Sequence, residues 1–152
     1  MITGLLRLWQ NKGRSSVPSS VALRKVFSVA ENKEFIDKNY TGAIELYRSG
    51  YSSAISRQDK VNMHSRIGRN YYKLGRFKMG ILEYELILAL ANESTSIGNI
   101  PAYIVALHQI AEGYQESGAL NERNEILIKL YRQLLKHPWD LSGGDYLFYL
   151  NS

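Results

Sequence analysis

The chain of 152 residues contains no cysteine, only three prolines and no long apolar run. The missing cysteine excludes disulfides, thiolate zinc sites and cysteine nucleophiles, so packing must supply the stability. So few prolines are compatible with long helices, and the longest apolar segment, Leu86 to Ala91, is far too short to cross a bilayer. The length is usual for one domain, and we expect a single compact helical unit.

Acidic residues are missing from the first 25 positions, which carry five bases. The remaining 14 bases and 14 acids cancel, so the net charge of +5 lies in this first segment. Because the rest of the chain is neutral, charge gives little support for nucleic-acid binding by the helical body. The five bases are Arg7, Lys12, Arg14, Arg24 and Lys25.

Residues 1–20, the leader, combine an amphipathic start with a serine-rich linker. Ile2, Leu5, Leu6 and Trp9 recur at helical spacing, and GRSSVPSS follows. This composition is expected of a mitochondrial or plastid transit peptide. A terminal helix docked on the helical body and a basic segment touching a membrane surface are the alternatives. We predict a helical domain over residues 21–152 and a cytoplasmic location, with mitochondrial targeting through the leader as the alternative.

The rest of the chain divides into three predicted helix pairs. Within each pair, apolar residues recur with a helical period, and a short turn separates the two helices. The pairs cover residues 21–37 and 42–57, 60–74 and 77–91, and 101–116 and 121–136. The closing segment SGGDYLFYLNS predicts a short capping helix, with the start of a fourth unit or a self-association surface as alternatives.

The segment from residue 64 to 91 carries small and aromatic residues at the spacing of a helical repeat. Ile67 and Gly68 precede Tyr71, and Gly80 precedes Tyr84. This pattern resembles the tetratricopeptide repeat (TPR) family, in its extended-helix form. The resemblance implies an all-α fold of antiparallel helix-turn-helix repeats, an α-α superhelix of about three units plus a C-terminal capping helix.

Superposing the three pairs places Glu34, Tyr71 and Tyr114 at the same repeat position. Glu34 stands where the family has an aromatic residue, and Arg123 stands where it has a small one. The repeat lengths of 37 and 43 residues exceed the family's 34, which implies longer helices or loops. The first pair alone also resembles a microtubule-interacting-and-trafficking domain, but the second and third pairs count against that.

The TPR resemblance implies that the first helix of each pair lines a concave groove for a peptide or a partner helix. Arg69 and Lys73, one turn apart, are expected to bind acidic groups of that partner, and Tyr72 to offer an aromatic surface. A chaperone-tail clamp is disfavoured, since Ser28 stands where a lysine is required. The candidate groove residues are Lys25, Asn32, Asn62, Ser65, Arg69, Tyr72, Lys73, His108 and Glu112.

Residues for catalysis are not evident in the sequence. His64, His108 and His137 lie far apart, and His64 occupies a repeat packing position. Glu83 and Glu85 fall on different helix faces and do not form an acid/base pair. We therefore expect no catalytic residue, cofactor or metal, and predict a non-enzymatic protein-protein interaction module: an adaptor, assembly factor or complex subunit. The alternative is a sensory repeat module of a signalling protein that binds a peptide or small ligand.

Overall fold

The computed structural model describes residues 20–136, and the predictions on the leader's role and on the tail lie outside this range. The described part is all-helical apart from one short hairpin, which confirms the predicted class. Its helices are α1 (Val21–Phe35), α2 (Tyr40–Ser49), α3 (Arg57–Lys73), α4 (Phe77–Leu90), α5 (Ala102–Glu116) and α6 (Leu120–Lys136). The antiparallel hairpin joins β1 (Ser96–Ile97) to β2 (Ile100–Pro101) between α4 and α5, with Ser96 opposite Pro101.

Each helix packs mainly on the next one in the chain, from α1 on α2 to α5 on α6. Early residues of α1 contact early residues of α3, and later residues contact later ones. The guanidinium carbon of Arg66 lies 4.6 Å from the Phe27 ring centroid, and Lys73 Nζ lies 4.6 Å from that of Phe35. Helices α1 and α3 therefore run parallel, and α2 returns between them.

Helix α3 is the centre of the molecule, because every residue from 61 to 71 is buried. Two apolar clusters meet on it. One cluster joins α3 to α1 and α2 through residues that include Leu23, Phe27, Tyr47 and Ile67. The other joins α3 to α4, α5 and α6 through residues that include Val61, Tyr84, Ile104, Leu107 and Leu130.

Two predicted helix boundaries are wrong, at the end of the first pair and the start of the second. Helix α2 ends at Ser49 rather than at residue 57, and a 3-10 turn over Tyr51–Ser53 follows it. Helix α3 then begins at Arg57 because Ser56 and Asp59 form a capping box. Ser56 Oγ accepts the Asp59 amide at 3.0 Å, which satisfies an otherwise orphan N–H group of the first turn.

Glycines allow α3 and α4 to approach closely, as the sequence predicted. A Cβ built on Gly68 would lie 2.8 Å from Tyr84 Cε2, and one built on Gly80 would overlap the Tyr72 ring. Tyr84 is fully buried and Tyr71 is 8% exposed. The predicted packing role of these residues is confirmed.

Candidate functional site

The nine predicted groove residues do not form one exposed face, so the expectation that all of them are accessible is wrong. Lys25 and Asn32 are exposed on α1. Tyr72, Lys73 and Glu112 are half-buried. Asn62, Ser65, Arg69 and His108 are buried. The reason is the central place of α3, whose neighbours cover residues that an isolated helix would leave in solvent.

Five of the nine lie on the neighbouring helices α3 and α5, and we call them the polar stripe. Its members are Asn62, Ser65 and Arg69 on α3, and His108 and Glu112 on α5. Spacings of three and four residues place the members from each helix on one helical face. Within this stripe Asn62 is 1% exposed, Arg69 2% and His108 3%.

The polar stripe on α3 lies between two flanking helices. On one side, the Arg66 guanidinium stacks on Phe27 of α1. On the other side, Tyr72 Oη donates a 2.6 Å hydrogen bond to the Gln109 carbonyl of α5. The predicted groove residue Tyr72 thus joins α3 to α5.

Arg69 and Lys73, the two predicted partner-binding cations, both bind Glu34 of α1. Arg69 Nη2 donates to Glu34 Oε2 at 2.7 Å, and Lys73 Nζ lies 3.0 Å from Glu34 Oε1. Tyr47 Oη of α2 also donates to Glu34 Oε2, at 3.0 Å. The Glu34 side chain has no solvent exposure. The negative charge of Glu34 is therefore neutralised within the chain, and both cations already have this carboxylate as a partner.

The electrostatics of Glu34 follow from this cluster. Burial alone would raise the pKa of the carboxyl, but the charges of Arg69 and Lys73 and their hydrogen bonds outweigh it and lower the pKa to about 2. Glu34 is therefore ionised at every physiological pH. The cluster holds α1, α2 and α3 together through one buried carboxylate.

At the α5 end, the polar stripe is acidic. His108 Nε2 lies 3.9 Å from Glu112 Oε1. Burial lowers the pKa of His108 to about 4, so this ring is neutral at pH 7. Burial and the charge of Glu116 raise the pKa of Glu112 to about 7. Glu112 can therefore gain or lose its charge near neutrality.

Asn62 and Glu112 of the polar stripe each have a buried atom without a hydrogen-bond partner in the described part of the chain. The atoms are Asn62 Nδ2, a donor, and Glu112 Oε2, an acceptor when ionised. Asn62 Oδ1 is occupied, since it accepts from Gln58 Nε2 at 2.9 Å. A buried polar group without a partner costs about 1–3 kcal/mol. A ligand that supplies the missing acceptor and donor would remove that cost.

The raised pKa of Glu112 predicts a pH-dependent effect of Glu112→Gln. A carboxyl whose folded pKa is raised binds more protons when folded, so its contribution to stability falls as pH rises from 4.5 toward 7. We expect the variant to be more stable than the native chain at pH 8, by on the order of 1 kcal/mol, and equal to it near pH 4. Urea denaturation at both pH values measures this. A gain of equal size at both pH values would contradict this prediction, and Glu122→Gln, at an exposed site on α6, is the control.

A second polar network, which the sequence did not predict, connects α2, α3 and α4. Arg48 Nη2 lies 2.9 Å from Glu83 Oε1 and donates to Tyr71 Oη at 3.0 Å. His64 Nδ1 lies 2.7 Å from Glu83 Oε2. The predicted packing position of His64 is confirmed by its 9% exposure. This network orients the helices on the side of α3 away from the polar stripe.

Helix α4 presents an apolar row to solvent. Met79, Leu82 and Leu86 follow one another at spacings of three and four residues and are 42–53% exposed. Rows of this kind can bind apolar faces of other helices. This α4 row is a separate surface against which the polar stripe can be tested.

Within residues 20–136, none of the helices combines the length and the apolar composition needed to cross a membrane. The same residues contain no group of three or more side chains of the kind that ligate metals.

Comparison with known proteins gives no further guide. No protein-family model matches the chain, and no curated protein or solved structure matches it. The TPR resemblance therefore stays a prediction.

Proposed function

We propose that the chain is a non-enzymatic, TPR-like interaction module that holds a segment of another protein on the polar stripe. Two buried atoms support this most directly: Asn62 Nδ2 and Glu112 Oε2 have no hydrogen-bond partner among the described residues. One is a donor and the other an acceptor. A peptide backbone carries the complementary carbonyl and N–H groups on every residue except proline.

The borders of the polar stripe suit a docking site. Lys25 and Asn32 are exposed on α1, and Gln115 and Glu116 are exposed on α5. A polar, accessible rim is usual in an interface between proteins. The candidate site therefore extends over both flanking helices, and an adaptor, assembly factor or complex subunit would use it in this way.

The charges support a basic partner segment rather than the acidic one expected from Arg69 and Lys73. Those two cations already bind Glu34 within the chain. Glu112 and Glu116 lie one turn apart on α5, and neither pairs with a lysine or arginine of the described residues. A lysine or arginine of the partner can supply that missing charge.

Selection of random peptides displayed on phage against the full chain tests this function. We expect enriched peptides to carry lysine or arginine and to bind the native chain. Asn62→Ala and Glu112→Gln should each weaken their affinity about tenfold or more, because a hydrogen bond to a buried or charged group contributes about 1.5–3 kcal/mol. Isothermal titration calorimetry measures the change.

Two control variants make this outcome specific. Glu45→Gln removes an exposed carboxylate from α2, and Leu82→Glu disrupts the apolar α4 row. Neither should change the affinity. Peptides that lose affinity with Leu82→Glu but not with Asn62→Ala would place binding on α4 and contradict the proposal.

A further inference from the structure

We propose that the α4 row is a self-association surface, on which α4 of a second copy of the chain packs in the antiparallel direction. The row is separate from the polar stripe, so this inference does not depend on the proposed function. Met79, Leu82 and Leu86 lie at spacings of three and four residues, and Ala89 continues them on the exposed side of the helix. This is the heptad pattern with which two helices pack side by side.

The charges beside the α4 row select a second copy as the occupant. Lys78 and Glu85 are both exposed and lie seven residues apart, which places them two turns from each other on the same flank of the row. Neither has an ion-pair partner among residues 20–136. A two-fold axis keeps this flank on the same side and reverses its direction, so Lys78 of each copy meets the partner's Glu85. A flank with a base at one end and an acid at the other is therefore complementary to itself.

The register that pairs these charges also aligns the apolar residues. In an antiparallel helix pair, a residue at the first apolar position of a heptad packs against the second apolar position of the partner. With Lys78 beside the partner's Glu85, this rule sets Met79 against the partner's Leu82. The opposite charges and the apolar contacts are thus satisfied together, and the two-fold axis repeats both.

The start of α4 offers space for the remaining apolar side chain. The same register sets Leu86 against the partner's Gly75. A Cβ built on Gly75 would have no atom within 4 Å, so the space around it is open. A pocket of about 340 Å³ lies there and can accept the leucine side chain. It is lined by Gly75, Arg76, Phe77, Lys78, Met79 and Ser117.

The dimer is expected to be weak and reversible. Contact along one helix of 14 residues buries less than the roughly 800 Å² per partner of a stable interface. We expect a dissociation constant on the order of 100 μM. Because the polar stripe lies on α3 and α5, a dimer through α4 carries two copies of it. A partner with two binding segments would gain affinity from both copies.

Sedimentation equilibrium of the full chain at low ionic strength tests the inference, at concentrations from about 5 μM to about 1 mM. We expect the average mass to rise from the monomer's 17.3 kDa toward twice that value. Leu82→Glu should raise the dissociation constant at least tenfold, because it places a charge in the apolar contact. Glu45→Lys, at an exposed site on α2, is the control and should leave it unchanged.

Charge reversals test the antiparallel register. Lys78→Glu alone, or Glu85→Lys alone, turns both ion pairs of the dimer into like-charge pairs and should weaken association about tenfold. An equimolar mixture of these two variants restores opposite charges in a heterodimer, and the double variant restores them in a homodimer. Both should associate about as well as the native chain.

Three results would overturn the inference. They are a chain that stays monomeric at the highest concentration, a dimer that neither reversal weakens, and a dimer that the reversals weaken but the mixture does not restore. Leu82→Glu should have no effect on peptide affinity, whereas Asn62→Ala should have no effect on the dimer. The self-association and the proposed function can therefore fail separately.

Discussion

Replacing Glu34 with alanine should lower the free energy of unfolding by about 3–5 kcal/mol, the largest effect we expect from a single side chain outside the apolar core. The substitution leaves Arg69, which is 2% exposed, without its carboxylate partner. It also removes the acceptor of the Tyr47 hydroxyl. An uncompensated buried charge is far costlier than a lost surface ion pair. Guanidinium denaturation at pH 7 measures the loss.

The pH dependence of this loss identifies its cause. The folded pKa of Glu34 is lowered from 4.5 to about 2, so its contribution to stability is complete above pH 4.5 and disappears as pH falls toward 2. The gap between native chain and variant should close over this range. Glu45→Ala, at an exposed site on α2, should change stability by less than about 0.5 kcal/mol. A loss below about 1 kcal/mol for Glu34→Ala would contradict the cluster's role.

Replacing Gly80 with alanine should lower the free energy of unfolding by about 1–3 kcal/mol through overpacking. Alanine is the better helix former by about 1 kcal/mol, so propensity alone predicts the opposite sign. The added methyl group would overlap the ring of Tyr72, whose hydroxyl end lies close to Gly113 of α5. Displacing the ring also breaks its hydrogen bond to the Gln109 carbonyl.

Two comparisons test this explanation. Ala89→Gly, on the exposed side of the same helix, should destabilise by about 1 kcal/mol through propensity alone. In a Tyr72→Ala background, Gly80→Ala should become neutral or stabilising, because the ring that it meets is gone. Stabilisation by Gly80→Ala in the native background would show that α3 and α4 are not in close contact there.

The positions of the helices could be predicted because each one depends on local signals. Apolar periodicity marked all six, and Gly75, with a φ of +73°, gave the turn between α3 and α4. One boundary error arose at Ser49, where α2 ends, and the other at Ser56 and Asp59, a capping box that resembles the polar interior of a continuing helix. The serine-to-acid spacing of this capping box, from Ser56 to Asp59, is present in the sequence.

The site was harder to predict because exposure depends on neighbours that a single helix does not reveal. Arg69 and Lys73 have the spacing of a solvent-exposed face, and only the approach of α1 shows that Glu34 binds both. One signal was available: an unexpected acid at a packing position of the first pair, with two cations at the matching level of the second. The prediction for Glu83 and Glu85 needed only the helical period of a single helix. Glu83 is buried and Glu85 is exposed, so the two lie on different faces as predicted.

The most direct test of the central claim, that the polar stripe binds a basic protein segment, is a charge reversal measured by calorimetry. The affinity of one selected peptide is compared between the native chain and Glu112→Lys, and again after a lysine of the peptide is changed to glutamate. We expect Glu112→Lys to weaken binding of the original peptide at least tenfold and the glutamate peptide to recover most of the loss. Equal affinities for both chains, with no recovery, would contradict it.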